Sequence, residues 1–245
     1  MTKLPVLLQG DVDRMKKYNI LAGGFIVALL WVAAMHFLDT ALVDVLFVTL
    51  LFVDLVSMPA IMVAVSLVYE KQEGALHAML VSPIRHSEYV WSKVLANALS
   101  AVLTLAILYA YAHFVRGFQA NLVLLVATVL LASRFHTLVG LLLTYGARDF
   151  TGMLMRYMIY AFVFMIPVLV DHTGLVDNYW FTLILTACPP RAVVVLLDSS
   201  VGELNWAQTL YGLTYLIVVG AVLFRMAVHQ LGAFAEKEMG VWPCT

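Results

Sequence analysis

Six stretches of this sequence are each about 20 residues long and almost wholly apolar. A bilayer core needs about 20 such residues in a helix, and a chain in lipid must satisfy its backbone hydrogen bonds internally. A β-barrel would instead show segments of about ten residues with alternating polarity. The sequence therefore predicts an all-α integral membrane protein with six transmembrane helices. The predicted spans are residues 20–38, 43–68, 91–114, 122–145, 153–170 and 206–228.

The composition agrees with a chain that folds in lipid. Hydrophobic residues make up 63% of the chain and charged residues 12%, whereas soluble domains have about 25% charged residues. The formal net charge of −1 gives no indication of a nucleic-acid partner. Cys188 and Cys244 and the seven histidines show no metal-ligand or disulfide spacing. We therefore expect no metal, cofactor or disulfide in this chain.

The distribution of lysine and arginine predicts the orientation. If the N-terminus is cytoplasmic, eleven of the 14 basic residues fall on the cytoplasmic side, either outside the spans or within three or four residues of their inner ends. Arg116 and Arg191 then fall outside, and Arg134 lies within a span. Because short cytoplasmic segments are enriched in Lys and Arg, we expect both termini in the cytoplasm. The protein is predicted to be a multi-pass protein of the cell (inner, cytoplasmic) membrane.

Three segments outside the spans are informative. Residues 1–18 are charged and amphipathic, which predicts an interfacial helix at the inner surface. Residues 69–90 form the longest cytoplasmic connection, and residues 171–205 form the longest external one. The external segment has apolar patches at 180–186 and 192–197 that are too short to span a bilayer. We expect them to be interfacial or re-entrant pieces that cap the external face.

The cytoplasmic connection contains the pattern of a short amphipathic helix over residues 73–83. Leu76, Met79 and Leu80 recur at helical spacing after a charged stretch. Ser82 precedes Pro83, and a residue before proline is disfavoured in the α conformation, so the helix should end there. An ordinary amphipathic loop would also fit this pattern.

The same region carries a distinctive order of residue types. It contains Glu70, then Gly74-Ala75-Leu76, then Ser82-Pro83-Ile84, then Glu88-Tyr89 and Lys93. This order closely resembles the signature of ABC-2-type transporter permeases. Upstream of Glu70, Phe52-Val53-Asp54 matches a Phe-x-Asp pattern. With this pattern the chain most resembles the small permease subunits of fluoroquinolone export.

The resemblance implies a single ABC-2-type transmembrane domain over residues 1–245 that works in a larger complex. Two copies of a separate ATPase subunit would bind ATP and Mg, and a second copy of this permease, or a homologous permease, would complete the assembly in membrane lipid. The implied cargo is a small amphipathic or drug-like substrate. A coupling helix in the cytoplasmic connection would dock on the ATPase. The implied ATPase-coupling residues are Glu70, Glu73, Gly74, Leu76, Met79, Leu80, Ser82 and Pro83.

The chain itself lacks the elements of an ATPase. No glycine is followed by lysine anywhere in the sequence, so the phosphate-binding Gly-x-x-x-x-Gly-Lys-Ser/Thr loop is absent. We therefore expect a transport subunit and not an enzyme.

Asp54 and Arg134 are the charged residues most clearly inside predicted spans. A charge at the bilayer centre costs roughly 2.5–3.5 kcal/mol on insertion scales unless it is paired or hydrated. Both residues have similar predicted depths, which predicts an ion pair between the second and fourth spans. The pair could serve helix packing, or the two residues could line the substrate path.

Other functions are compatible with parts of the sequence. An ABC-2 permease could export a lipid-linked glycan, a peptide or lantibiotic, or a natural-product antibiotic. A secondary transporter driven by an ion gradient would more often show internal repeats and several charges within its spans. A membrane enzyme would need a concentrated set of catalytic groups, and the sequence shows none.

Overall fold

A computed structural model describes residues 3–37, 43–74, 82, 84–147, 149–176, 178–202 and 204–238. All regular secondary structure in these ranges is helical. The helices are α1 (Leu4–Lys17), α2 (Ile20–Phe37), α3 (Val43–Gln72), α4 (His86–Arg116), α5 (Leu122–Tyr145), α6 (Phe150–His172, with a π-helical turn at Ala161–Met165), α7 (Tyr179–Leu185), α8 (Pro189–Val201) and α9 (Trp206–Glu238).

The six predicted spans are confirmed as helices. Within the described part of the chain, α2 to α6 and α9 are long and apolar enough to cross a membrane. Four of them extend beyond the predicted spans: α3 continues to Gln72, α4 already begins at His86, α6 is longer at both ends, and α9 continues to Glu238. The added turns contain charged residues, so a prediction from apolar runs did not include them. The additional turns of α3 and α4 lie side by side and carry the candidate site described below.

The predicted interfacial helix forms as α1. Pro5 lies in its first turn, where the missing N–H costs no helical hydrogen bond. Met15 is buried against Met62 of α3 and Ala96 of α4. This helix is therefore packed against the transmembrane bundle, and its position at a membrane surface stays a prediction.

Helices α3 and α5 form the centre of the bundle. The two helices approach closely at Gly140, where an added Cβ would lie 2.6 Å from the Cα of Ala60 and 2.8 Å from Cγ1 of Val63. Asn97 of α4 joins both helices, because its Nδ2 donates to the Pro59 carbonyl and to the Thr137 hydroxyl, each at 3.2 Å. The backbones of α3 and α5 are therefore in contact at Gly140, and the buried side-chain amide of Asn97 hydrogen-bonds to both helices.

The segment between α6 and α9 folds back on the bundle as two short helices. Helices α7 and α8 meet at an angle of 105°, as in a re-entrant loop or a broken span. Residues 192–197 of α8 are buried against the bundle. Asp171, at the end of α6, pairs with Arg191 of α8 and accepts a 2.6 Å hydrogen bond from Thr182 of α7. The two short helices fall on the apolar patches noted in the sequence, and their position at the external face stays a prediction.

Candidate functional site

Three helices bring charged side chains together at the end of α3. Helix α1 runs beside the start of α4, and α3 ends between them, so polar side chains from all three meet there. We call the six charged residues of this site the ion cluster. They are Asp11, Arg14 and Lys17 of α1, Glu70 and Glu73 at the end of α3, and Lys93 of α4.

Lys93 occupies the centre of the ion cluster. Its side chain is only 2% exposed, and its Nζ lies 2.6 Å from Oδ1 of Asp11 and 3.2 Å from Oγ of Ser66. It also donates a hydrogen bond to Glu70 Oε1. A buried ammonium is tolerated only when nearby carboxylates and acceptors offset its desolvation. Lys93 therefore depends on side chains of two other helices.

Glu70 is the most enclosed carboxylate of the cluster, with a fully buried side chain. It accepts from Lys93 and from Nη1 of Arg14, and Tyr89 donates to its second oxygen at 2.7 Å. These three donors come from α1 and α4, whereas Glu70 belongs to α3. Any movement of the last turn of α3 is thus opposed by hydrogen bonds to both neighbours.

Glu73 closes the cluster at its exposed edge, just after α3 ends. Its carboxylate accepts from Nζ of Lys17 at 2.6 Å and from the hydroxyl of Tyr18, and it lies 3.6 Å from Nε of Arg14. The Tyr18 ring also stacks on Tyr69 with centroids 3.7 Å apart. The end of α1 is therefore bonded to the start of the connection between α3 and α4.

The electrostatics of the cluster are balanced, with three acidic and three basic side chains. Burial alone would raise the pKa of Asp11, but Lys93, with smaller contributions from Ser92 and Arg14, outweighs it and lowers that pKa below its usual value. Because the pKa of Asp11 is lower in the folded protein, its contribution to stability is present near neutral pH and is lost in acid. Hydrogen bonds from Lys17 and then Tyr18 likewise lower the pKa of Glu73, and Glu73 raises the pKa of Lys17.

The structure describes four of the eight predicted coupling residues. Glu70 faces the interior of the bundle, Glu73 lies at the edge of the ion cluster, and Ser82 lies in a turn. Gly74 follows α3 with φ of +69°, a conformation that favours glycine. The remaining four, which are Leu76, Met79, Leu80 and Pro83, lie outside the described residues.

The predicted ion pair between Asp54 and Arg134 is wrong. Asp54 is buried, and its Oδ1 accepts a 3.3 Å hydrogen bond from Nε1 of Trp31 on α2. The guanidinium of Arg134 instead lies 5.5 Å from the ring centre of Trp91, near the start of α4. Similar depth in the bilayer does not place two side chains on facing sides of their helices, and the long arginine stem carries its charge towards a helix end.

Two adjoining cavities lie along α3 and α6, close to the ion cluster. The larger, of about 290 Å³, lies between Leu67 and Lys71 near the end of α3 and Phe150 near the start of α6. The smaller, of about 150 Å³, lies deeper and is almost wholly apolar. Met153 lines both cavities. Together we call them the α3–α6 cleft.

Sequence reasoning missed Asp11, Arg14 and Lys17 as members of the site, and it used Tyr89 and Lys93 only as part of a family pattern. A weak signal was present, since Lys93 interrupts the apolar run of α4 in its second turn and Asp11 lies among the apolar residues of α1. The rotation of each helix about its axis determines which carboxylate pairs with which basic side chain. Residue spacing along the chain does not specify that rotation.

Comparison with known proteins identifies the family of this chain. A profile of the fluoroquinolones export permease protein family matches residues 2–237. This chain belongs to that family. Two curated fluoroquinolones export permease proteins, from two strains of Mycobacterium tuberculosis, are each 24% identical to it over 243 residues. The match covers 98% of this chain and the full length of each relative. The chain is thus a multi-pass membrane protein of an export permease family.

Proposed function

We propose that this protein is the permease subunit of an ABC exporter and forms the path for a small amphipathic or drug-like substrate. A separate ATPase, in two copies that bind ATP and Mg, would drive it, together with a second permease copy or a homologous permease. Both termini would lie in the cytoplasm, as the distribution of Lys and Arg predicts. The observation that supports a driven permease most directly is the ion cluster at the root of the α3–α4 connection.

The ion cluster could transmit a displacement of the α3–α4 connection to α1, α3 and α4. A push on residues 73–83 would reach α3 through the turn at Gly74 and would reach α1 and α4 through the bonds of Glu70 and Lys93. Breaking those bonds would leave buried charges without partners, which costs several kcal/mol. The three helices should therefore tilt together when the connection is displaced.

The α3–α6 cleft favours a small substrate over a glycan, a peptide or a lantibiotic. Its two cavities, of about 290 and 150 Å³, approach the size of drug binding sites, which run from about 300 to 1,000 Å³. The lining is mainly apolar, with Lys71 and Asp149 at the wider end. The relatives' names, which specify fluoroquinolones, point to the same class of amphipathic molecule.

Co-purification with the ATPase tests the proposal. The double variant Leu76→Asp and Leu80→Asp places charges on the apolar side of the predicted coupling helix, and small interfaces depend on a few apolar anchors. We expect it to lose the ATPase and substrate-stimulated ATP hydrolysis while it remains inserted and monodisperse. His77→Ala, in the same predicted helix but outside its apolar positions, is the control and should keep both. Normal ATPase association and transport in the double variant would overturn the coupling assignment.

A further inference from the structure

An open groove separates the start of α4 from the last turns of α9. Its volume is about 450 Å³. His86 of α4 and Arg225 and His229 of α9 line its polar side, and Phe224 and Val228 form an apolar floor. We call this feature the basic groove. It lies apart from the α3–α6 cleft and takes no part in the ion cluster.

The basic groove contains cationic and neutral donors without an acidic partner among the described side chains that line it. The nearby Glu88 is directed elsewhere, since its carboxylate accepts from the backbone N–H groups of Lys3 and Arg85 at 3.3 and 3.4 Å. Glu88 thereby caps the N-terminus of α4, so the attraction of the groove for an anion depends on Arg225, His86 and His229. Its chemistry therefore suits a negatively charged group.

Arg134 provides a second, independent observation. Among the described residues its guanidinium has no carboxylate partner, and its Nε is buried without a hydrogen-bond acceptor. It lies 5.5 Å from the ring centre of Trp91, and that ring packs at 5.1 Å on Phe224 in the floor of the groove. An uncompensated guanidinium within a span is costly. Arg134 does not line the groove, but it adds a positive charge behind the Trp91 ring, on the same side of the bundle.

Apolar surface continues from the groove along α4. Trp91, Leu95, Leu99 and Leu103 follow at four-residue steps, and each is at least 36% exposed. This stripe begins at the ring that packs on the groove floor. An occupant with an anionic head and a long apolar tail would match both parts, whereas a soluble anion would match only the first.

We propose that the basic groove binds an anionic phospholipid. Its phosphate would lie against Arg225, His86 and His229, and an acyl chain would follow the stripe of α4. Basic pockets between transmembrane helices are a common site for such headgroups. In the orientation proposed above, the lipid would come from the inner leaflet. A zwitterionic lipid would fit the stripe equally but would leave the cationic charge uncompensated.

Native mass spectrometry of the full-length chain tests the proposal, with phosphatidylglycerol and phosphatidylcholine offered in equal amounts. We expect about tenfold preference for phosphatidylglycerol. The variant Arg225→Gln with His229→Gln should lose most of it, because an arginine near an anionic surface contributes about fivefold and the imidazole of His229 is a further hydrogen-bond donor of the groove. Arg156→Gln, which removes an exposed arginine of α6, is the matched control and should keep the preference.

Two further experiments test whether a lipid occupies the groove and whether a free phosphate ion alone would account for the binding. Val228→Trp fills the groove floor without removing a charge, and it should also release the lipid. Inorganic phosphate alone, at millimolar concentration, should not displace phosphatidylglycerol. Equal retention of the two lipids by the unmodified chain, unchanged preference in the charge variant, or displacement by inorganic phosphate would each overturn the assignment.

Discussion

Lys93 is the residue whose environment is most fully determined by other helices. It sits in the second turn of α4, and Asp11 of α1 and Glu70 of α3 supply its counter-charges. Replacing such a pair together with apolar residues is often tolerated, whereas removing one partner leaves the other charge buried alone. This asymmetry makes the ion cluster testable one residue at a time.

Lys93→Met should destabilise the protein by about 3–5 kcal/mol, because Asp11 and Glu70 would then be buried without their central cation. The double variant Lys93→Met with Glu70→Gln should recover part of the loss. Lys17→Met, at the exposed edge of the cluster, is the control and should change stability little. Thermal denaturation in detergent measures all three, and a Lys93→Met variant as stable as the unmodified protein would contradict the described cluster.

Asp54 and Arg134 should behave as independent residues. Asp54 bonds to Trp31 and Arg134 packs on Trp91, so the two share no partner. Effects of residues without shared partners usually add within about 0.5 kcal/mol. We therefore expect the stability changes of Asp54→Asn and Arg134→Gln to add in the double variant. A coupling energy well above that limit would restore the direct pair that the structure lacks.

At the scale of whole helices, the contact between α3 and α5 holds the centre of the bundle. Gly140 leaves no room for a Cβ against the backbone of Ala60, whereas a Cβ on Gly23 of α2 would meet no atom within 4 Å. Glycines that allow such close approach are common between membrane helices. The two glycines therefore differ in function although both lie in apolar helical sequence.

Gly140→Ala should push α3 and α5 apart and destabilise the protein by about 1–3 kcal/mol, the usual range for overpacking. Gly23→Ala is the matched control and should be neutral or slightly stabilising, because alanine favours a helix. Chemical denaturation of the two variants compares them directly. Equal stability of both would show that the α3–α5 contact can relax at little cost.

The sequence predicts the helices well because a run of apolar residues is a local pattern that can be read from consecutive positions. The six spans, the α1 helix and the short pieces near residues 180 and 192 all follow from local patterns. Contacts between helices are different, since they depend on rotation about each axis. Depth alone suggested a bond from Asp54 to Arg134, and no spacing rule linked Asp11 to Lys93 across 82 positions.

At the scale of the whole molecule, the ion cluster, the start of the α3–α4 connection and the wider end of the α3–α6 cleft lie close together. Lys71 lines the cleft, and Glu70 beside it is held in the cluster. A displacement of the connection should therefore alter the cleft and the cluster together. This proximity is what the proposed function requires of a permease that a separate ATPase drives.

Transport into inside-out membrane vesicles tests the central claim most directly. A fluorescent fluoroquinolone would be supplied outside vesicles that contain this chain, with or without its ATPase, and accumulation would be followed over time. We expect uptake only when the ATPase and ATP are both present, and we expect uptake to persist after a protonophore collapses ion gradients. Uptake by the chain alone, driven by an ion gradient and independent of ATP, would contradict it.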